Sequence, residues 1–85
     1  MSDQQKMKVK VYAPFETYFE GEADSVSAVN LTGPFDVLAH HKNFISLLQT
    51  GTVTVRHAGK DDFNLKINRG LIHVKADKVT VFLDV

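Results

Sequence analysis

The sequence predicts an all-β fold, either a sandwich or a barrel, from two observations. Apolar residues recur at every second position over several stretches, as expected for strands that bury one face. Turn-forming glycine, proline, asparagine and aspartate separate these stretches at short intervals. Several short strands punctuated in this way are typical of sandwiches and barrels.

The predicted strands follow in chain order from the apolar positions. The first begins at Met7, a hairpin spans residues 51–68 about Gly59, and a tighter hairpin spans residues 71–83 about Asp77. In every strand the apolar residues share one face and their neighbours share the other. The predicted inward residues are Met7, Val9 and Val11; Val53 and Val55; Phe63, Leu65 and Ile67; and Val79, Val81 and Leu83. The outward residues of the same four strands are Lys8, Lys10 and Tyr12; Thr52, Thr54 and Arg56; Asn64, Lys66 and Asn68; and Thr80, Phe82 and Asp84.

Length and composition exclude several classes of protein. A chain of 85 residues has room for one hydrophobic core, so we expect a polar, flexible tail over residues 1–6 and a single β-domain over residues 7–85. Ten basic side chains balance ten acidic ones, which argues against a nucleic-acid binder. The absence of cysteine excludes disulfides, thiolate metal sites and thiol catalysis. With neither a secretory signal nor an apolar span in the sequence, we expect a cytoplasmic protein.

The segment from residue 35 to 51 has two interpretations. Local rules favour a helix, because Asp36 is placed as an N-cap, Gly51 lies beyond the last turn, and the apolar residues fall on one helical face. The same segment also divides into two apolar strands, residues 35–38 and 44–48, around a polar loop. Periodicity alone does not decide between these interpretations for runs this short.

Few residues in the sequence suggest a catalytic or metal-binding site. His40 and His41 resemble a metal pair, but neighbours on a strand point to opposite faces and no second ligand cluster lies at a suitable spacing. The pair Asp61 and Asp62 falls in a predicted turn, where aspartate serves turn geometry. We therefore predict no catalytic residues, no metal and no cofactor. An enzyme that uses one of the two loop histidines is the least favoured interpretation.

The residues from 33 to 51 resemble a segment of the epsilon subunit of F-type ATP synthases, which is called delta in mitochondria. That segment has a glycine, an apolar stretch, a loop histidine and a closing glycine, here Gly33, His41 and Gly51. The resemblance extends to an opening strand, a phenylalanine-x-glycine turn at Phe19 and Gly21 and the strand after it. It also includes closing strands with the turn glycine Gly70 and the final Asp84. It covers residues 7–85 and implies a flattened two-sheet β-sandwich of about ten short strands.

The resemblance favours strands over the helix, but this sequence departs from the family pattern at four positions. Asp36 replaces a glycine, Ala39 and Asn43 replace two prolines, and Arg69 replaces the first glycine of a pair. Proline would oppose a helix, so its loss keeps the helical alternative open. If the position of Arg69 requires a positive φ, its backbone strain costs about 1–3 kcal/mol.

The resemblance also implies a function. It suggests a non-catalytic central-stalk subunit of a proton-translocating F-type ATP synthase, coupling the gamma subunit to the c-ring and held at the inner face of the membrane through the complex. If the sequence that stops at Val85 is a complete gene product, we do not expect the family's inhibitory helical hairpin; if it is an excised domain, nothing follows about regulation. The alternative is a free-standing β-sandwich module that docks another protein or a small ligand. The implied gamma contacts are Ala13, His41, Ser46 and Asn68, and the loop facing the c-ring contains Thr32, Gly33, Pro34 and Phe35.

Overall fold

A computed structural model of the chain describes residues 6–40, 42–57 and 61–84. These residues contain nine β-strands and no helix. The strands are β1 (Met7–Ala13), β2 (Glu16–Ala23), β3 (Ser25–Asn30), β4 (Gly33–Leu38), β5 (Phe44–Leu48), β6 (Gly51–Arg56), β7 (Phe63–Ile67), β8 (Gly70–Lys75) and β9 (Lys78–Leu83).

The strands form the two sheets of a sandwich, which confirms the predicted fold class. One sheet has five strands in the order β2-β1-β9-β8-β5, and the other has four in the order β4-β3-β6-β7. Neighbouring strands run antiparallel except β1 and β9, which run parallel. The pairs β6–β7 and β8–β9 are the two predicted hairpins. Gly59, the expected centre of the first turn, lies outside the described residues.

The helix that local rules favour over residues 35–48 does not form. β4 ends at Leu38 and β5 begins at Phe44, and the two strands belong to different sheets. β4 pairs with β3, whereas β5 pairs with the distant β8. Pairing of β4 with the neighbouring β3 and of β5 with the distant β8 therefore overrides the local helical pattern, since it lets each strand bury one face.

The core consists of aliphatic side chains from the inward faces of both sheets. At its centre Val11 pairs with Val81 and Val81 pairs with Ile72, and all three are fully buried. Burying an aliphatic side chain of this size contributes about 1.5–3 kcal/mol relative to exposure. The core members are Met7, Val9, Val11, Ala13, Ala23, Val26, Ala28, Val37, Leu48, Val53, Val55, Ile67, Ile72, Val74, Val79, Val81 and Leu83.

The loop between β4 and β5 is anchored on the β8–β9 turn. The His40 amide donates a hydrogen bond to Asp77 Oδ1 at 2.7 Å, and the Ala76 amide donates one to Asn43 Oδ1 at 3.1 Å. His40, Ala76 and Asp77 all adopt positive φ, at 66°, 50° and 62°. Asn43, which stands where the family has a proline, thus supplies a hydrogen-bond acceptor that proline lacks.

Arg69 does not carry the strain that a positive φ would impose. The non-glycine residues with positive φ among those described are His40, Ala76 and Asp77, so the condition for strain at Arg69 is not met. Its guanidinium instead pairs with Asp84, with Nη2 lying 3.1 Å from Oδ2.

Candidate docking surfaces

An apolar row crosses the outer face of the five-stranded sheet. The register pairs Leu47 with Leu71, Leu71 with Phe82, and Phe82 with Tyr12. The Tyr12 and Phe82 rings meet edge to face, with their centroids 5.2 Å apart. Four neighbouring strands thus each contribute one large side chain, and three strand spacings carry the row across about 14 Å. We call these four residues the apolar row.

The β5 end of the row is the most exposed part. Leu47 is 66% exposed, and Ile45, which lies two residues earlier on the same face of the edge strand, is 61% exposed. Tyr12, Leu71 and Phe82 are half-buried by their neighbours. A contiguous apolar surface on a soluble protein is typical of a docking site, unlike a single exposed leucine.

A groove of about 500 Å³ lies beside the apolar row. Leu47, Leu71 and Phe82 line it together with the side chains of Arg69 and Asp84. The Arg69–Asp84 ion pair is exposed, with 75% and 63% of the two side chains accessible. The groove therefore combines an apolar floor with a charged rim, which is the usual anatomy of a protein–protein interface.

The outer face of the four-stranded sheet is polar by contrast. Asp36 accepts a hydrogen bond from the Ser27 hydroxyl, and Ser27 Oγ in turn accepts one from Arg56 Nη1 at 2.7 Å. On the neighbouring strands Thr54 Oγ1 donates to Asn64 Oδ1 at 2.8 Å. These side chains satisfy one another across the strands, so this face is suited to solvent.

The β3–β4 turn presents a second exposed surface. Asn30 pairs with Gly33, and the intervening Leu31 and Thr32 form the tip, where Leu31 is 84% exposed. Gly33 has a φ of 116°, a conformation that residues with a Cβ rarely adopt. Within the following strand, the Phe35 ring packs against Phe44 of β5 with centroids 5.9 Å apart.

Comparison with known proteins identifies the sandwich. The sequence matches the family described as "ATP synthase, Delta/Epsilon chain, beta-sandwich domain" over residues 6–85. The chain belongs to this family. The resemblance predicted from the sequence is therefore confirmed.

Curated relatives give the same result. The chain is 34% identical to the ATP synthase epsilon chain of Geobacter metallireducens over 80 residues, and 33% identical to that of Sulfurimonas denitrificans over 79. These matches cover 94% and 93% of this chain but 57% and 61% of the relatives, so the chain spans about three fifths of their length.

Two structures of mitochondrial ATP synthases contain the same sandwich. A chain of the Euglena gracilis enzyme, solved as OSCP/F1/c-ring, matches with a TM-score of 0.86 at 18% identity, covering 98% of this chain and 53% of that one. A chain of the Tetrahymena thermophila central stalk/c-ring structure matches with a TM-score of 0.80 at 14% identity, covering 99% and 67%. These matches show that the same β-sandwich fold covers nearly the whole of this chain.

The described gamma contacts implied by the family resemblance do not form one cluster. Ala13 ends β1 and is 5% exposed, whereas Ser46 lies half-buried in β5, with β9 and β8 between the two strands. Asn68 is exposed after β7, and its carbonyl accepts a hydrogen bond from Thr50 Oγ1 at 3.2 Å. His41 lies outside the described residues. Ala13 directly follows Tyr12 and Ser46 directly precedes Leu47, so both belong to the face of the sheet opposite the apolar row.

The predicted c-ring-facing residues are consecutive, with Thr32 in the β3–β4 turn and Gly33, Pro34 and Phe35 at the start of β4. Thr32 and Pro34 are exposed, while Gly33 and Phe35 are half-buried. Among the described residues no group of three or more His, Cys, Asp or Glu side chains could hold a metal ion. The same residues contain no helix long and apolar enough to cross a membrane.

Proposed function

We propose that the chain is a non-catalytic central-stalk subunit of a proton-translocating F-type ATP synthase, and that it couples the gamma subunit to the c-ring. Membership of the delta/epsilon-chain family supports this proposal. The single observation that carries it is the apolar row, together with Ile45, on the outer face of the five-stranded sheet. In this function the protein works by docking and needs no cofactor or metal.

The gamma subunit is the proposed partner of the apolar row. Leu47 and Ile45 offer exposed aliphatic side chains, and the aromatic pair Tyr12–Phe82 offers a rigid surface beside them. Large apolar and aromatic side chains at the centre of an interface contribute most of its binding energy. The family resemblance also implies gamma contacts at Ala13, His41, Ser46 and Asn68, and we propose these as part of a contact at the flank of the sandwich.

The β3–β4 turn is the proposed contact with the c-ring loops. Thr32 of this turn and Gly33, Pro34 and Phe35 at the start of β4 match, in the family resemblance, the loop near the ring. Pro34 stands where family members often carry an acid, so we propose that shape and apolar contact replace an ionic contact here. The exposed Leu31 at the tip extends the apolar surface that this turn offers.

Rigidity is the mechanical requirement of such a subunit, because torque passes through it. The two sheets pack face to face over a shared aliphatic core, and packing of this kind resists deformation. We propose that the complex holds the protein peripherally at the inner, cytoplasmic face of the membrane.

The second candidate function is a free-standing binding module. The groove of about 500 Å³, with its apolar floor and the Arg69–Asp84 rim, favours this candidate, because such a groove also suits a peptide or a small ligand. A module of this kind would bind a partner unrelated to the synthase.

Binding to the purified gamma subunit and to the detergent-solubilised c-ring of the source organism's synthase tests the proposal. We expect the chain to bind gamma by titration calorimetry, and we expect the gamma–chain complex to bind the c-ring more tightly than gamma alone. A tagged chain should also retain gamma from a native membrane extract. A folded chain that binds neither component would refute the stalk function and favour the binding module.

A further inference from the structure

One side chain joins the β3–β4 turn to β5. Asn30, the last residue of β3, accepts hydrogen bonds at Oδ1 from the Thr32 amide at 2.9 Å and from Thr32 Oγ1 at 2.7 Å. Its Nδ2 donates to Ser46 Oγ at 3.2 Å. Since β3 belongs to the four-stranded sheet and β5 to the five-stranded sheet, this amide connects the two sheets.

The backbone next to Asn30 reinforces this connection. The Gln49 amide, just after β5, donates a hydrogen bond to the Val29 carbonyl at 2.9 Å. β3 is thus joined to β5 and the residue after it by one side-chain and one main-chain hydrogen bond, made by the adjacent residues Asn30 and Val29. The backbone bond holds the two strands together, whereas the Asn30 side chain also reaches the tip of the turn.

Apart from the contact between Phe35 of β4 and Phe44 of β5, the turn has little other support. A Cβ placed on Gly33 would have no atom within 4 Å, and Leu31 is 84% exposed, so the tip projects into open space. The β3–β4 pairing aligns Asn30 with Gly33 but makes no link to the five-stranded sheet. Asparagine suits the linking position because one planar group supplies both an acceptor and a donor.

We propose that Asn30 is a positioning residue that holds the β3–β4 turn in a fixed orientation relative to β5. On the proposed function, on which this inference rests, β5 carries part of the gamma contact and the turn carries the c-ring contact. Asn30 would then link the two docking surfaces mechanically without touching either partner. Its amide lies in the shortest covalent and hydrogen-bonded path between the tip at Thr32 and the docking strand at Ser46.

Three variants of the full chain test the inference. Asn30→Ala removes all three hydrogen bonds, and Asn30→Asp retains an acceptor for Thr32 but replaces the donor to Ser46. The matched control is Asn64→Ala, which removes an exposed amide that accepts a hydrogen bond of 2.8 Å from Thr54 on the same sheet, away from β5. For each variant we measure hydrogen exchange at the Thr32 amide, gamma binding by calorimetry, and c-ring binding by the gamma–chain complex.

The expected results separate positioning from general stability. Asn30→Ala should speed exchange at the Thr32 amide on the order of tenfold, the effect of losing one ordinary hydrogen bond, while Asn30→Asp and Asn64→Ala should stay near wild type. Asn30→Ala should leave gamma affinity within about twofold and weaken c-ring binding by on the order of tenfold, whereas Asn64→Ala should change neither.

Contrary results have distinct meanings. Unchanged Thr32 exchange in Asn30→Ala would overturn the positioning role, whatever the partners do. Faster exchange with unchanged c-ring binding would overturn the mechanical link while leaving the stalk function intact. If the wild-type chain bound neither gamma nor the c-ring, the proposed function and the link that rests on it would both fall, and the exchange data alone would show whether Asn30 holds the turn.

Discussion

Replacing Ile45 and Leu47 together by serine should weaken binding to gamma without unfolding the protein. The two side chains are 61% and 66% exposed in the free chain, so about two thirds of each is available for burial by a partner. Full burial of an aliphatic side chain of this size contributes about 1.5–3 kcal/mol. The available parts therefore contribute about 1–2 kcal/mol each, and about 2–4 kcal/mol together. This corresponds to a roughly 30- to 700-fold increase in the dissociation constant.

The fold should tolerate this double substitution. Both side chains point away from the core, and substitutions at exposed sites usually change the free energy of unfolding by about 0.5 kcal/mol or less. Leu38→Ser is the matched control, because Leu38 is 58% exposed on β4, at the edge of the other sheet. It removes a comparable exposed side chain from a strand that lies outside the apolar row.

Titration calorimetry of each variant against purified gamma checks the prediction, and urea denaturation measures the free energy of unfolding. We expect the double variant to lose most of its affinity and Leu38→Ser to bind like wild type. Equal affinities for all three proteins would refute the apolar row as the gamma contact. An equal loss in both variants would refute its location on the five-stranded sheet.

Three further substitutions test the packing, each by urea denaturation. Gly70→Ala should lower the free energy of unfolding by about 1–3 kcal/mol, because the new Cβ would lie 2.8 Å from the Phe82 carbonyl oxygen and 3.2 Å from Leu83 Cδ2. A free energy of unfolding equal to that of wild type would contradict this close approach. Ile72→Ala should lower the free energy of unfolding by about 2–5 kcal/mol, since Ile72 is fully buried at the centre of the core. A decrease below about 1 kcal/mol would contradict that placement. Arg69→Ala should cost less than about 1 kcal/mol because its ion pair with Asp84 is exposed, so a larger loss would show a structural role for the pair.

Much of the fold could be predicted from local sequence, because alternation directly reports which residues of a strand face the core. The inward positions predicted for the first and last strands, such as Val9 and Val81, are buried in the structure. The local pattern of residues 35–48 was ambiguous, since its apolar residues fit a helix as well as two strands. Two strands form there because β4 pairs with β3 and β5 pairs with β8, and neither pairing can be read from the segment itself.

The candidate site was harder to predict than the fold. Alternation places Tyr12 and Phe82 on outward faces, but it does not reveal that they are neighbours. Their contact depends on the parallel pairing of the first strand with the last, which are separated by most of the chain. The role of Asn30 was equally inaccessible, because its amide acts between two sheets whose relation appears only when the sandwich is assembled.

The apolar row depends on the same register as the core, and this ties the proposed function to the fold. Val81 is buried between Val11 and Ile72, and the next residue along β9, Phe82, therefore faces outward between Tyr12 and Leu71. Because side chains alternate along a strand, a slip of one residue would place Phe82 in the core and Val81 on the surface. Burial of the valines thus selects the register that aligns the outer row. A docking surface specified in this way needs no reactive group, since the packing that stabilises the sandwich also positions the side chains that meet the partner.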